Sequence, residues 1–232
     1  MSEIVSVVEA ERARARALAA LRAGDLVVAP TDTVYAVVGD AFSPGATARL
    51  LALKQRGRAV PLPVVIRSPR QVSGLVEHIP EAGERLMASY WPGPLTLVLP
   101  AAEGMTWDLG ETRGTVSLRM PAADFVLDLV AEIGPLACTG ASRGGVAPAE
   151  EVAQVRRHLA ADVALYVDGG PQTGPQSTVV DVTREGAQVL RPGAIPTEHI
   201  RQVAEGEVGW GSRPTASEPE DIGEPDRSAE GG

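Results

Sequence analysis

The chain has 232 residues, 44% hydrophobic and 22% charged, with a mean hydropathy of +0.01, which is the composition of a folded domain and excludes a disordered one. No apolar run approaches the roughly 20 residues of a membrane helix, and the acids and arginines of the first 16 residues leave no signal-peptide core. The expectation is therefore a cytoplasmic protein without membrane contact. A single cysteine, Cys138, and three dispersed histidines exclude an internal disulfide and any zinc-type ligand spacing.

The net charge of −9 is uneven. Residues 203–232 hold eight acids against Arg213 and Arg227, and little that is large and apolar follows Trp210. Such a segment buries too little surface to offset its ordering entropy, so residues 206–232 are expected to form a flexible acidic tail after a catalytic domain at 1–205. Neither part has the basic balance of a dedicated nucleic-acid binder. Of the 21 basic residues only Lys54 is a lysine.

In chain order, residues 8–22 have helical composition and spacing with Gly24 as a stop, and 25–29 read as a short buried strand. After a polar loop, Ser43 and Pro44 cap and start a helix running to about Gln55. A strand is expected at 61–66, then a helix at 80–90 ended by Trp91-Pro92-Gly93-Pro94. Further strands are expected at 95–99, 115–119, 135–139, 163–167, 177–182 and 187–190, and helices at 122–132, 148–160 and 196–204. The irregular alternation points to an α/β fold, a mixed sheet with flanking helices.

No GxxxxGK[ST], GxGxxG or GxSxG occurs in a suitable context, which disfavours P-loop, Rossmann and serine-hydrolase chemistry. Instead, short polar clusters sit at element ends: Pro30 to Tyr35, Lys54 to Arg58, Ser117 to Pro121, Cys138 to Gly145, Ser177 to Asp181, and Arg191 to Gly193. Each has two readings. The cations after residue 53 satisfy a helix C-terminus or clamp phosphates, and Arg119 makes a surface ion pair or forks an anion. The small-residue loop at 138–145 is a flexible turn or a backbone cradle open to a ligand.

In this order PTDTVY, Lys54-x-Arg56 with Pro61-Leu62, WPGPLT, SLRMP, STVVD and RPG resemble the YrdC-like family of threonylcarbamoyl-AMP synthases, over roughly residues 8–200. The resemblance implies a twisted mixed sheet with flanking helices around a large open cavity. It implies ATP-dependent synthesis of threonylcarbamoyl-AMP from L-threonine and bicarbonate with release of pyrophosphate, for threonylcarbamoyladenosine modification of tRNA. Thr33, Tyr35, Arg119 and Ser177 would then hold or shape the threonine site. Lys54, Arg56, Arg58, Thr115, Thr139, Ala141, Ser142 and Arg191 would face the nucleotide, with Lys54 and Arg56 stabilising charge during transfer. ATP enters as a substrate, with Mg²⁺ on its triphosphate and no structural metal in the protein. A downstream tRNA-modifying transferase complex is the implied partner, and a weak contact with double-stranded RNA or tRNA is compatible with a local arginine patch.

The chain departs from the family pattern at Ala36 and Val60, where glycine and lysine are usual. It departs again at Gly140-Ala141-Ser142, where the family reads Ser-Ala-Asn, and at Gly144 in place of serine. The alternatives are a carbamoyl-transfer relative, for which the chain has no room for extra catalytic domains, and a noncatalytic module that binds nucleotide or RNA.

Overall fold

The computed structural model describes residues 2–55, 57–159 and 162–208. Arg56 and the tail from 209 onward, two subjects of the expectations above, lie outside the described residues. Among the described residues ten strands form one sheet in the order β1-β8-β2-β3-β7-β4-β6-β5-β9-β10. These are β1 (Glu3–Ser6), β2 (Val27–Ala29), β3 (Ala36–Asp40), β4 (Val64–Val65), β5 (Leu95–Pro100), β6 (Thr115–Arg119), β7 (Leu136–Gly140), β8 (Leu165–Asp168), β9 (Thr178–Asp181) and β10 (Gln188–Arg191). The helices are α1 (Ala10–Arg22), α2 (Pro44–Lys54), α3 (Glu81–Tyr90), α4 (Asp124–Ile133), α5 (Val152–Leu159) and α6 (Thr197–Glu205), with a 3-10 segment at Pro69–Gly74. No described helix is long and apolar enough to cross a membrane.

The sheet is mixed. β1, β8 and β2 run parallel, as do β4 with β6 and β5 with β9, while β2–β3, β3–β7, β7–β4, β6–β5 and β9–β10 are antiparallel. Two strands fall outside the expected elements. β3 occupies what reads as loop after PTDTVY, and β1 pairs in parallel with β8, a partner about 160 residues away in sequence. The local start of α2 agrees with its sequence: the Ser43 side chain accepts from Ala46 N, and Pro44 stands in the first turn.

Strand side chains alternate between faces, and each face has its own cover. On one face α2, α3, α5 and α6 press Leu50, Leu86, Val155 and Ile200 onto Val28, Val37, Val64, Leu97, Leu118, Tyr166 and Val180. On the other, α1 and α4 press Leu18, Leu21, Val126 and Leu129 onto Val5, Leu165, Val27, Val38, Leu136 and Val65. That second cluster takes nothing from β6, β5, β9 or β10. Among the described residues no helix joins a core over those four strands, and the face presents Thr115, Ser117 and Arg119, then Thr96 and Val98, then Val179 and Asp181, then Arg191.

Candidate active site

The open half of this face carries the polar clusters. Arg119 ends β6 with its side chain 11% exposed, so its charge needs partners. It finds them in the loop between β2 and β3. Nη2 lies 2.6 Å from Asp32 Oδ1, Nη1 donates to Thr33 Oγ1 at 3.1 Å, and Nε donates to Gly93 O at 3.1 Å. Thr33 is buried, and its hydroxyl lies 3.1 Å from Thr31 Oγ1, which itself donates to Val34 O at 2.7 Å. The other oxygen of Asp32, Oδ2, is buried without a hydrogen-bond partner.

Next along the row, Thr96 sits one residue beyond the Leu97↔Leu118 pair and thus beside Arg119. Its Oγ1 lies 3.0 Å from Ser177 Oγ, and Arg191 Nη2 donates to Ser177 Oγ at 3.0 Å and to Ser177 O at 2.8 Å. Two glycines of the motifs have a steric reason. A Cβ at Gly93 would stand 2.4 Å from Tyr90 O, and one at Gly193 would stand 2.3 Å from Gln176 O, so only glycine lets these turns approach. The first turn delivers Gly93 O to Arg119, and the second packs against the Ser177 backbone that receives Arg191.

Tyr35 is wholly buried and works on a loop. Its hydroxyl donates to Gly170 O at 2.8 Å and accepts from Gly169 N at 3.0 Å, with Asp168 Oδ1 at 3.3 Å. Burial pushes its pKa up to about 12, against the opposing Gly169 N–H donation. The anchored segment after β8 then passes over Thr33, where a Cβ on Gly174 would come 3.2 Å from Thr33 O. Between this segment and Pro148 and Glu150 opens a cavity of about 210 Å³, with Val34 and Gln176 in its wall. Cys138 lies on the site face of β7. Burial pushes its thiol up to about 11, while the nearby Arg119 and Arg191 charges pull it down.

The residues expected to face a nucleotide do not share one place: Arg191 joins Ser177 beside Arg119, Thr115 stands at the far end of β6, and Lys54 meets the loop after β7. Thr115 and Arg119 share a face four residues apart, about 13 Å at strand rise. Thr115 Oγ1 donates to Thr112 O at 2.7 Å. At the C-terminus of α2, Lys54 Nζ donates to Gly140 O at 3.0 Å, Ser142 O at 2.5 Å and Ser142 Oγ at 3.2 Å. Lys54 is thereby drawn away from a plain helix-end charge and onto the loop after β7. Thr139, paired with Val37, faces the α2 side of the sheet, and Ala141 is buried. The expected open backbone cradle is partly occupied: Ala141 N donates to Tyr35 O at 2.7 Å, extending the β3–β7 pairing, and Ser142 N donates to Gly140 O. Arg58 is an exposed partner of Asp108.

Asp32 and Thr96 carry no role in the motif-based expectations, although both lie inside quoted motifs. The available signal was a polar residue interrupting an apolar strand, LTLVLP, and an acid between two threonines. Among the described residues, no group of three or more His, Cys, Asp or Glu is placed to hold a metal ion.

Residues 19–193 match the sequence model of the Sua5/YciO/YrdC family, described as telomere recombination. A Mycobacterium tuberculosis (strain H37Rv) protein provisionally named a threonylcarbamoyl-AMP synthase is 44% identical over 190 residues, 81% of this chain and 87% of that protein. The structure of P. abyssi Sua5 complexed with L-threonine has a TM-score of 0.80 at 35% identity, covering 87% of this chain. This chain spans 61% of that longer one. E. coli YciO, at 23% identity and a TM-score of 0.75, shares the fold.

Proposed function

The chain belongs to the Sua5/YciO/YrdC family, and on that premise we propose that it makes threonylcarbamoyl-AMP from L-threonine, bicarbonate and ATP. Threonine's amine and bicarbonate condense to a carbamate with loss of water. A carbamate oxygen then attacks the α-phosphorus of ATP, and the bond to pyrophosphate breaks. The nucleophile comes from the substrate, so the protein's contribution is positioning and charge stabilisation.

The observation that carries this reading is the polar group around Arg119, in which Arg119 meets Thr33, Thr96 and Arg191 meet Ser177, and the Thr33 segment adjoins, through Tyr35 O, the loop that Lys54 holds. Beyond its bonds to Thr33, Asp32 and Gly93, Arg119 keeps one N–H on each Nη, which with the flanking hydroxyls suits an amino-acid carboxylate. A lysine set against a small-residue loop suits phosphates. In this reading Tyr35 acts on the threonine site through the loop it anchors. Mg²⁺ would arrive on the triphosphate and help neutralise its charge. The altered loop keeps its link to Lys54 through Ser142 Oγ, and a side chain at Gly140 would meet open space. The mixed-anhydride product suits a tRNA-modifying transferase as its consumer.

The deciding measurement is pyrophosphate release from ATP by the full chain. Release that requires both threonine and bicarbonate is expected. Threonine or nucleotide binding without release would instead favour the noncatalytic module.

A further inference from the structure

We infer that Thr96 is a positioning residue that aims the Ser177 hydroxyl at the amino-acid substrate. The inference rests on the proposed synthase reading in one respect, that Ser177 faces threonine. A serine hydroxyl has two lone pairs and one hydrogen. Arg191, which can only donate, fills one lone pair of Ser177 Oγ from Nη2 at 3.0 Å. Thr96 Oγ1 stands 3.0 Å from the same oxygen, and among the described residues Thr96 makes no other side-chain hydrogen bond.

Two arrangements satisfy this geometry. If Ser177 donates to Thr96, its hydrogen is used up inside the protein. If Thr96 donates to Ser177, both lone pairs are filled and the serine hydrogen is left for the ligand. An anionic acceptor in the site selects the second arrangement, because a hydrogen bond to a charged group is about twice as strong as a neutral one and each donor in the chain polarises the next. The residue is suited to that task by its place. Thr96 is 4% exposed and Ser177 5%, so bulk water does not compete for the donor role. Thr96 also stands beside Arg119 across the strand pair, which puts the serine hydrogen and the guanidinium on one face.

Valine keeps the shape of threonine and its β-branched fit to a strand but has no hydrogen to give. The Thr96→Val protein is expected to bind threonine about tenfold more weakly by calorimetry, and to show the same rise in KM for threonine. Its kcat and its KM for ATP should stay within about twofold. Thr96→Ser restores threonine affinity, and in a Ser177→Ala background the valine change adds nothing further. If the valine protein lacks a cooperative melt, Thr96→Ala carries the same comparison. Unaltered threonine affinity in a folded Thr96 variant, or a full tenfold loss on top of Ser177→Ala, overturns the inference. Failure of the synthase reading looks different: wild-type protein that binds threonine but releases no pyrophosphate sinks that reading and leaves the affinity comparison intact, whereas wild-type protein that binds no threonine sinks both.

Discussion

Over β1, β8, β2, β3 and β7, one face of the sheet presents Val5, Leu165, Val27, Val38 and Leu136 to α1 and α4, whereas over β6, β5, β9 and β10 its continuation presents Ser117, Arg119, Thr96, Asp181 and Arg191 to no described helix. The backbone ladder is continuous across the boundary at β4, where Val65 pairs with Arg119. What changes is the partner of the side chains. The covered half gains stability by removing apolar surface from water, about 25 cal/mol per Å². The open half holds polar groups that satisfy one another, and so it contributes specificity and a binding surface at little gain in stability. The contrast shows how a single sheet can be scaffold and site at once.

The contrast breaks most severely at Arg119. Its guanidinium bonds to Asp32, Thr33 and Gly93, and Asp32 is only 12% exposed, so truncation leaves a buried carboxylate without its cation. Arg119→Ala is expected to cost about 3 to 5 kcal/mol, and to abolish threonine binding. Adding Asp32→Asn should return part of the stability and none of the binding. A thermal melt with calorimetry on both proteins checks this. Full stability in Arg119→Ala would show that the open half is not held together by this pair.

On the covered half, Leu129 in α4 is completely buried against the β1–β8–β2–β3–β7 side. Leu129→Ala should lose about 2 to 5 kcal/mol through transfer and cavity terms. Threonine affinity per folded molecule should be unchanged, because the lost contacts lie on the scaffold side of the boundary. A matching loss of affinity would mean that the two halves are mechanically coupled.

The same boundary explains what the sequence made legible. α2 was readable because its signals are local, a serine cap and a first-turn proline, and the polar ends of β6 and β9 were readable as charges or hydroxyls at strand termini. β1 was not, since EIVS becomes a strand only through β8, whose sequence lies far away. β3 follows a turn-rich loop directly and was absorbed into it. Thr96 was hidden for a related reason: in LTLVLP the odd positions enter a core and the even positions face the open half, a distinction fixed by which strands lie alongside. The strand order, and with it the open half itself, depends on pairings between distant segments.

A smaller effect, confined to alkaline pH, tests the opposite face. Tyr35, Tyr90 and Tyr166 all belong to the core under α2, α3, α5 and α6, and burial pushes each of them up to about 12. A folded pKa above the unfolded value of about 10 favours the protonated fold. The stabilisation is therefore complete below about pH 10 and is lost as pH rises toward 12, because the unfolded chain releases its protons first. Cys138, pushed up to about 11, adds a decline beginning near pH 9. Denaturant melts from pH 8 to 12 should show this fall, with tyrosinate absorbance appearing together with unfolding. Tyr166 Oη is buried without a partner, so Tyr166→Phe should be nearly neutral at pH 8 and should reduce the alkaline fall. An unchanged fall in that variant would remove Tyr166 from the account.

The smallest expected effect separates the two cation-bearing ends of the Lys54 to Arg58 cluster. Lys54 reaches the loop after β7 from a partly buried position, while Arg58 and Asp108 are 52% and 44% exposed and pair through the two terminal guanidinium nitrogens. The pairing holds the Asp108 carboxyl below its usual range, mainly through the hydrogen bond from Arg58. In high dielectric, an exposed pair of this kind contributes little stability and weakens with salt. Arg58→Ala should therefore leave the melting temperature almost unchanged. Its effect on ATP tells the two roles apart. A pair that serves only the surface predicts an unaltered KM for ATP at every salt concentration, whereas an arginine that exchanges Asp108 for a phosphate predicts a raised KM for ATP at low salt, shrinking as salt is added. The carboxylate already engages the two terminal guanidinium nitrogens at an exposed site, so the unaltered KM is the expected result, and steady-state pyrophosphate release at two ionic strengths is the measurement that decides it.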